Sequence, residues 1–205
     1  MTIRLHRGDL PDLARYGSGI VAIDTESMGL NPARDRLCVV QLSPGDGTAD
    51  VVQIPPNSPG APNLIKLFAD PDVLKLFHYA RFDLGMLYNT WGVMPGPAYC
   101  TKIASRLART YTDKHGLKDL VRELLGQDLS KQQQSSDWGS SELSDAQVAY
   151  AASDVLHLHA LKTKLDAMLA REGRTEMAQA CFRFLPERVR LDLAGWAEQD
   201  IFAHS

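Results

Sequence analysis

The sequence contains few cysteines, and they do not occur in patterns that usually support structure or chemistry. Only three are present in 205 residues, Cys38, Cys100 and Cys181, and none belongs to a C-x-x-C pair. This argues against a disulfide framework and gives no support for a zinc site. No apolar run approaches the length needed to span a bilayer. Residues 1–10 lack the apolar core of a secretory signal, so the expected compartment is the cytoplasm.

The overall charge is slightly negative, which bears on whether the chain can bind nucleic acid. The formal net charge of −3 disfavours a protein that holds nucleic acid by bulk electrostatics. Five basic residues against one acid between Lys102 and Lys118 soften that objection, although such a run is more often a solvated helix face. With 44% hydrophobic and 23% charged residues, the chain has the composition of a soluble protein with a real core.

Apolar patterns predict an α/β domain with one mixed sheet. Short, apolar and often β-branched segments predict strands at 20–23, 37–42, 51–54 and 74–78. Turn formers at 43–47 predict that the second and third strands form a hairpin. Helical patterns follow at 63–69, 82–91, 102–109, 117–125, 144–172 and 176–198. Ser144 and Gln147 match a capping box at the start of the longest of these helices.

Two acids stand close together at the end of the first predicted strand. Asp24 and Glu26 are two residues apart, so in a strand their side chains project from the same face. Two carboxylates held together repel each other unless a cation lies between them, which favours a divalent-metal site. Taken alone, the Asp-x-Glu pattern is common on surface strands, but the apolar run before it makes a surface location less natural.

Two further acids are weaker signals when each is taken alone. Tyr150 and Asp154 are four residues apart on one face of a predicted helix, where a phenol and a carboxylate can act together. The ordinary interpretation is a half-buried tyrosine beside an exposed acid. Asp83 lies in the first turn of another predicted helix, where an acid commonly stabilises the helix dipole.

Taken in chain order, these signals resemble the three motifs of the DEDD superfamily of 3′→5′ exonucleases. The motifs correspond to 22–26, 77–83 and 150–154, and the last has the Tyr-x-x-x-Asp form of the tyrosine branch. The segments 100–107 and 124–144 are similar to those around the second and third motifs in the ribonuclease D family. The resemblance implies a ribonuclease H-like α/β fold, with a mixed five-stranded β-sheet flanked by α-helices.

The resemblance also implies a domain organisation. Residues 1–205 would form a single 3′→5′ exonuclease domain with C-terminal helices at about 174–200 packed on it. The chain looks like a short form that lacks the C-terminal accessory domains of longer ribonuclease D proteins, so their substrate preferences are not carried over.

By resemblance, the chain would bind two divalent cations, Mg²⁺ or Mn²⁺, and act on single-stranded RNA 3′ ends, including tRNA precursors. Asp24 would bridge both metals, Tyr150 would orient the attacking water, and nucleoside 5′-monophosphates would be released. The implied catalytic residues are Asp24, Glu26, Asp83, Tyr150 and Asp154, and the four acids among them are the implied metal ligands. A DNA-directed exonuclease and an inactive nuclease fold that binds RNA are the alternatives, and the survival of all four acids disfavours the second.

A second set of residues is expected to contact the substrate. Met28 and Leu30 could wedge against terminal bases, although packing into the core is an equally good interpretation. His78 is more simply explained as a packed histidine at a strand end. Trp138 could stack on a base. The complete expected substrate-binding set is Thr25, Met28, Leu30, His78 and Lys131.

Overall fold

One mixed β-sheet, flanked by helices, organises the chain. The computed structural model describes residues 2–17, 19–130 and 132–204. The strands are β1 (Thr2–Arg7), β2 (Gly19–Ser27), β3 (Leu37–Ser43), β4 (Thr48–Gln53), β5 (Val73–Phe77) and β6 (Ala98–Cys100). The helices are α1 (Pro62–Ala69), α2 (Ala80–Trp91), α3 (Thr101–Ala108), α4 (Leu117–Leu120), α5 (Asp145–Leu156), α6 (Leu158–Arg171) and α7 (Thr175–Leu191). Wider π-helical turns continue α4 over Val121–Leu125 and α7 over Asp192–Trp196.

The strand order across the sheet is β1-β4-β3-β2-β5-β6. The β2–β3 and β3–β4 pairs are antiparallel, and the other three neighbouring pairs are parallel. The α/β class and the β3–β4 hairpin are therefore confirmed, whereas the expected count of five strands is wrong because the described sheet has six. Sequence patterns missed β1, an edge strand that is mostly exposed, and β6, which has only three residues.

The centre of the sheet forms the core. All seven residues of β3 are buried, as are five of the six residues of β4. Strand β3 carries a near-continuous apolar run, as expected for a strand covered on both faces, whereas β4 also buries the polar residues Asp50 and Gln53. The neighbouring strand β2 is therefore anchored along its length, and this rigid position matters because β2 carries the first pair of acids.

The long helix predicted over 144–172 is interrupted at His157. The two resulting helices pack against different parts of the structure: α5 lies across β2, β3 and β4, while α6 packs against α3. Because of the break, the apolar face of α5 can pack on the sheet while that of α6 packs on α3. At the other end of α5, Ser144 and Gln147 form the predicted capping box, with backbone N–H groups bonded at 3.3 and 3.0 Å. Among the described residues, no helix combines the length and apolarity needed to cross a membrane.

Helix α7 packs against α2 and β6. The assignment of 1–205 to a single domain stays a prediction.

The capping box generates the first testable prediction. Ser144→Ala removes the acceptor of the Gln147 N–H, so it should lower the free energy of unfolding by about 1 kcal/mol. Urea denaturation followed by circular dichroism would measure the change. Ser141→Ala is the matched control, because its exposed hydroxyl has no hydrogen-bond partner among the described residues. Equal stability of the two variants would show that the cap contributes nothing.

Candidate active site

Strand β2 carries the first two acids to the edge of a cleft. Asp24 and Glu26 lie on the same face of the strand, and both are half-buried. The register between β2 and β3 shifts between Glu26 and Ser27. Such irregularities bend a strand and commonly re-aim side chains next to functional sites.

Helix α5 brings the third acid to the same point. Asp154 offers a carboxylate oxygen that lies, with one oxygen each from Asp24 and Glu26, in a group whose members are all within 4.8 Å of one another. Ala151 and Ala152 on this helix are fully buried, and their small side chains permit close approach to the sheet. Residues far apart in sequence therefore form one acidic cluster.

Asp83 occupies a distinct place beside that cluster. It lies in the first turn of α2, is 2% exposed, and accepts a hydrogen bond from the Thr25 hydroxyl at 2.7 Å. Its oxygens do not fall within the 4.8 Å group formed by the other three acids. All four carboxylates nevertheless line the same cleft, so the structure brings every predicted acid to one site.

The cleft has a volume of about 300 Å³. Besides the acids, its walls include Lys102, Lys118 and Gln134. A larger cavity of about 640 Å³ adjoins it, and the two share Tyr79 and Phe82. The larger cavity contains none of the four acids, so the chemistry belongs to the smaller space.

Burial and mutual repulsion oppose ionisation of the four acids. Burial raises the pKa of Asp24 well above its usual value, and the charges of the other three acids raise it further. Burial, followed by the charges of Asp154 and Asp83, raises the pKa of Glu26 to about 9. Burial also raises the pKa of Asp83 and of Asp154 to about 7, against the opposing hydrogen bonds from Thr25 and Tyr150.

The donor set fits a hard divalent cation. It consists of carboxylate oxygens, which Mg²⁺ and Mn²⁺ prefer. Among the described residues, no basic side chain makes an ion pair with any of the four acids. The excess negative charge is thus left for a cation rather than cancelled within the protein.

Tyr150 is held in a protonated state beside the cluster. Burial raises the pKa of its phenol, and the nearby charges of Asp154 and Glu26 raise it further. The ring packs against Trp138, with 6.1 Å between ring centroids. Trp138 is 4% exposed, so it supports the tyrosine and does not offer a surface on which a base could stack.

Comparisons with known proteins agree with this geometry. Residues 12–170 match the family model described as 3′-5′ exonuclease. The chain belongs to the 3′→5′ exonuclease family. The resemblance drawn from the three motifs is confirmed.

Members of this exonuclease family resemble the chain over different lengths. It is 38% identical over 156 residues to ribonuclease D of Gluconacetobacter diazotrophicus, covering 76% of this chain and 39% of that protein. It is also 38% identical over 149 residues to DNA polymerase I of Aquifex aeolicus, covering 72% of this chain and 24% of that protein. The chain therefore spans about two-fifths of the length of this ribonuclease D and about a quarter of the length of the polymerase.

One solved structure matches from end to end. Brucella melitensis NrnC with bound Mg²⁺ is 61% identical, with a TM-score of 0.96 and complete coverage of both chains. The same protein bound to pGG gives 62% identity, a TM-score of 0.97 and complete coverage.

The expected substrate-binding residues differ in burial and in the cavity that they line. Thr25 is buried, and its hydroxyl is bonded to Asp83. Met28 and Leu30 are 62% and 88% exposed, which excludes packing into the core. Leu30 lines the larger cavity, whereas neither residue lines the acidic cleft. Lys131 lies outside the described residues.

His78 lines the cleft as a neutral ring, because burial lowers its pKa to about 3. Its Nδ1 lies 2.9 Å from the Thr101 hydroxyl, which itself donates to the Phe77 carbonyl. Since a hydroxyl has only one proton to donate, Nδ1–H of His78 must be the donor to Thr101. Nε2 is then left as a hydrogen-bond acceptor.

Sequence reasoning did not place two lysines and one amide at the site. Lys102 and Lys118 belong to the basic run, which pointed to them without indicating that they line the cleft. The Lys102 ammonium lies 4.3 Å from the centre of the Tyr79 ring, in cation–π contact. Gln41 donates to Asp24 across the sheet, and no local pattern marks it.

The acid cluster generates a stability prediction for the metal-free exonuclease. Asp24→Asn keeps the shape of the side chain and removes a carboxyl group whose ionisation is opposed in the folded chain by burial and by the other acids, and is free in the unfolded chain. In EDTA it should raise the Tm by roughly 2–4 °C, which corresponds to about 1 kcal/mol in a chain of this size. Differential scanning calorimetry at pH 8 would measure the shift.

Asp72→Asn is the control, since Asp72 is an exposed acid remote from the cleft and should change the Tm little. A lower Tm for Asp24→Asn than for the parent in EDTA would contradict the repulsion argument.

Proposed function

We propose that this chain is a metal-dependent 3′→5′ exoribonuclease that releases nucleoside 5′-monophosphates from RNA 3′ ends. The observation that carries the proposal is the cluster of Asp24, Glu26 and Asp154, with carboxylate oxygens within 4.8 Å, in a chain of the exonuclease family. A role in the 3′ processing of tRNA or other stable RNA stays a prediction.

The proposed cofactors are two divalent cations, Mg²⁺ or Mn²⁺. Asp24, Glu26, Asp83 and Asp154 would hold them, and Asp24 is the acid whose pKa responds to all three others. The Mg²⁺ bound in the B. melitensis relative supports this assignment. When bound, the cations would supply Lewis-acid stabilisation of the charge that develops on the phosphate.

Tyr150 would donate a hydrogen bond and orient the attacking water. Its raised pKa means that the phenol keeps its proton at neutral pH, so it is unsuited to act as a general base. Packing of Trp138 against the ring restricts its orientation. Lys102 and Lys118, which line the same cleft as the acids, would attract the phosphates of the strand.

Two observations support RNA 3′ ends as the substrate class. A cleft of about 300 Å³ lies at the small end of ligand sites and suits the terminus of a single strand. Nε2 of His78 is an acceptor without a hydrogen-bond partner among the described residues, so it suits a hydroxyl donor, and the ribose 2′-hydroxyl is a donor that DNA lacks.

Short oligoribonucleotides are proposed among the substrates. The B. melitensis relative, 62% identical over its whole length, was solved bound to pGG, a 5′-phosphorylated dinucleotide. The similarity to the A. aeolicus DNA polymerase I supports DNA as the second candidate substrate.

The deciding experiment compares substrates and metals directly. The protein should shorten 5′-labelled single-stranded RNA one nucleotide at a time from the 3′ end with Mg²⁺ or Mn²⁺, down to and including dinucleotides. EDTA should stop the reaction, because the acids need a cation to accept a phosphate. Denaturing gels of RNA and DNA of matched sequence would give the products and relative rates.

Circular RNA and RNA with a 3′-phosphate are the controls for polarity, and both should resist digestion. Undiminished activity in EDTA would overturn the metal dependence. Cleavage of circular RNA as fast as linear RNA would identify an endonuclease, and a faster rate on DNA would favour the second candidate.

Two substitutions separate the proposed roles at the site. Asp24→Asn should reduce kcat by several orders of magnitude, because Asp24 interacts electrostatically with all three other acids and would be the central ligand of the proposed metal site. Tyr150→Phe keeps the ring and its packing, so the loss should be smaller, about 10- to 1000-fold. Single-turnover kinetics at saturating Mn²⁺ would measure both. Equal loss in the two variants would mean that the phenol does more than orient water.

A further inference from the structure

A glutamine lies buried in the middle of the sheet, directly opposite the proposed metal ligand Asp24. Gln41 belongs to β3, all of whose residues are buried, and it is 0% exposed. It is the register partner of Asp24 across the antiparallel β2–β3 pair. Residues directly opposite in such a pair extend their side chains from the same face. The register of the sheet therefore sets the amide beside the carboxylate.

The hydrogen bonding of this amide is one-sided. Gln41 Nε2 donates to Asp24 Oδ2 at 3.2 Å. Gln41 Oε1 is buried and has no partner within the described part of the chain. Leaving a buried oxygen unpaired costs stability, and an apolar residue would avoid that cost. The opposite orientation of the amide would place an oxygen against a carboxylate, so only the observed one is favourable.

A neutral donor is well suited to a carboxylate that must bind a cation. It restrains the rotation of the carboxylate and leaves its negative charge intact. A lysine or arginine in the same place would cancel charge that a divalent cation needs. Among the described side chains, Gln41 makes the only hydrogen bond to Asp24.

We propose that Gln41 is a positioning residue for Asp24, holding the carboxylate in the orientation that binds a divalent cation. The inference rests on the proposed function, because it presumes that Asp24 is a metal ligand. Hydrogen-bonding partners of ligating carboxylates commonly affect metal affinity about 10- to 100-fold. Gln41 would thus contribute to function at some expense of stability.

A second buried glutamine provides the control for a purely structural role. Gln53 lies in the neighbouring strand β4, and its Nε2 donates to the carbonyls of Ser140 and Ser141 at 3.0 and 3.3 Å. It makes no hydrogen bond to any of the four acids among the described residues. Replacing Gln53 should lower stability and leave the acid cluster unchanged, whereas replacing Gln41 should do the reverse.

The experiment compares Gln41→Met and Gln53→Met with the parent, since methionine is unbranched and similar in length to glutamine. Mn²⁺ binding is titrated without substrate, with free Mn²⁺ followed by electron paramagnetic resonance. Gln41→Met should weaken Mn²⁺ binding about 10- to 100-fold, with a Tm in EDTA equal to or above that of the parent. Gln53→Met should lower the Tm and keep the parental affinity. Excess Mn²⁺ should restore kcat in Gln41→Met, because the reacting groups are retained.

The outcomes distinguish this inference from the proposed function. If the parent binds no Mn²⁺, the proposed function fails and the inference fails with it. If the parent binds Mn²⁺ and Gln41→Met binds it equally well, only the positioning role is overturned. Equal weakening by Gln53→Met would show a general effect of core substitution and would also overturn it. Gln41→Leu repeats the test should the methionine variant not fold, and failure of both to fold would assign Gln41 a structural role.

Discussion

Three carboxylates from two separate elements are held together in a partly buried cleft against their mutual repulsion. The oxygens of Asp24, Glu26 and Asp154 lie within 4.8 Å of one another. Burial raises the pKa of each acid, and like charges raise the pKa of Asp24 and Glu26 further. No local preference of the chain would produce such a group. It persists because the surrounding sheet and helices determine its position more strongly than the charges oppose it.

The frame that imposes this arrangement is built around the centre of the sheet. Strands β3 and β4 are almost wholly buried, and they fix β2 with its two acids. Helix α5 crosses the same strands, begins at a capping box and presents fully buried Ala151 and Ala152. Small side chains shorten the distance between helix and sheet, which brings Asp154 within reach of Asp24. Capping, helix packing and strand register thus together determine the relative positions of the acids on β2 and α5.

The cleft combines both signs of charge, which reconciles a net charge of −3 with a polyanionic substrate. The four acids line the cleft together with Lys102 and Lys118. An unoccupied anionic cluster would repel a phosphate, so the lysines and a bound cation together would favour its entry. The match to B. melitensis NrnC covers both chains completely, whereas the ribonuclease D match covers 39% of that protein.

The sequence by itself predicted the four acids and the tyrosine as one site, because the combination of their motifs in chain order is specific although each motif alone is not. It also determined the capping box and the β3–β4 hairpin, which depend on neighbours in the chain. Only the tertiary structure decided that Thr25 bonds Asp83, that Trp138 packs on Tyr150 and that the lysines line the cleft. Sequence patterns also failed to predict the exposed strand β1, the short strand β6 and the helix break at His157. These features depend on strand register and helix packing between segments that are distant in sequence. A local sequence pattern does not specify which distant segments will pack together.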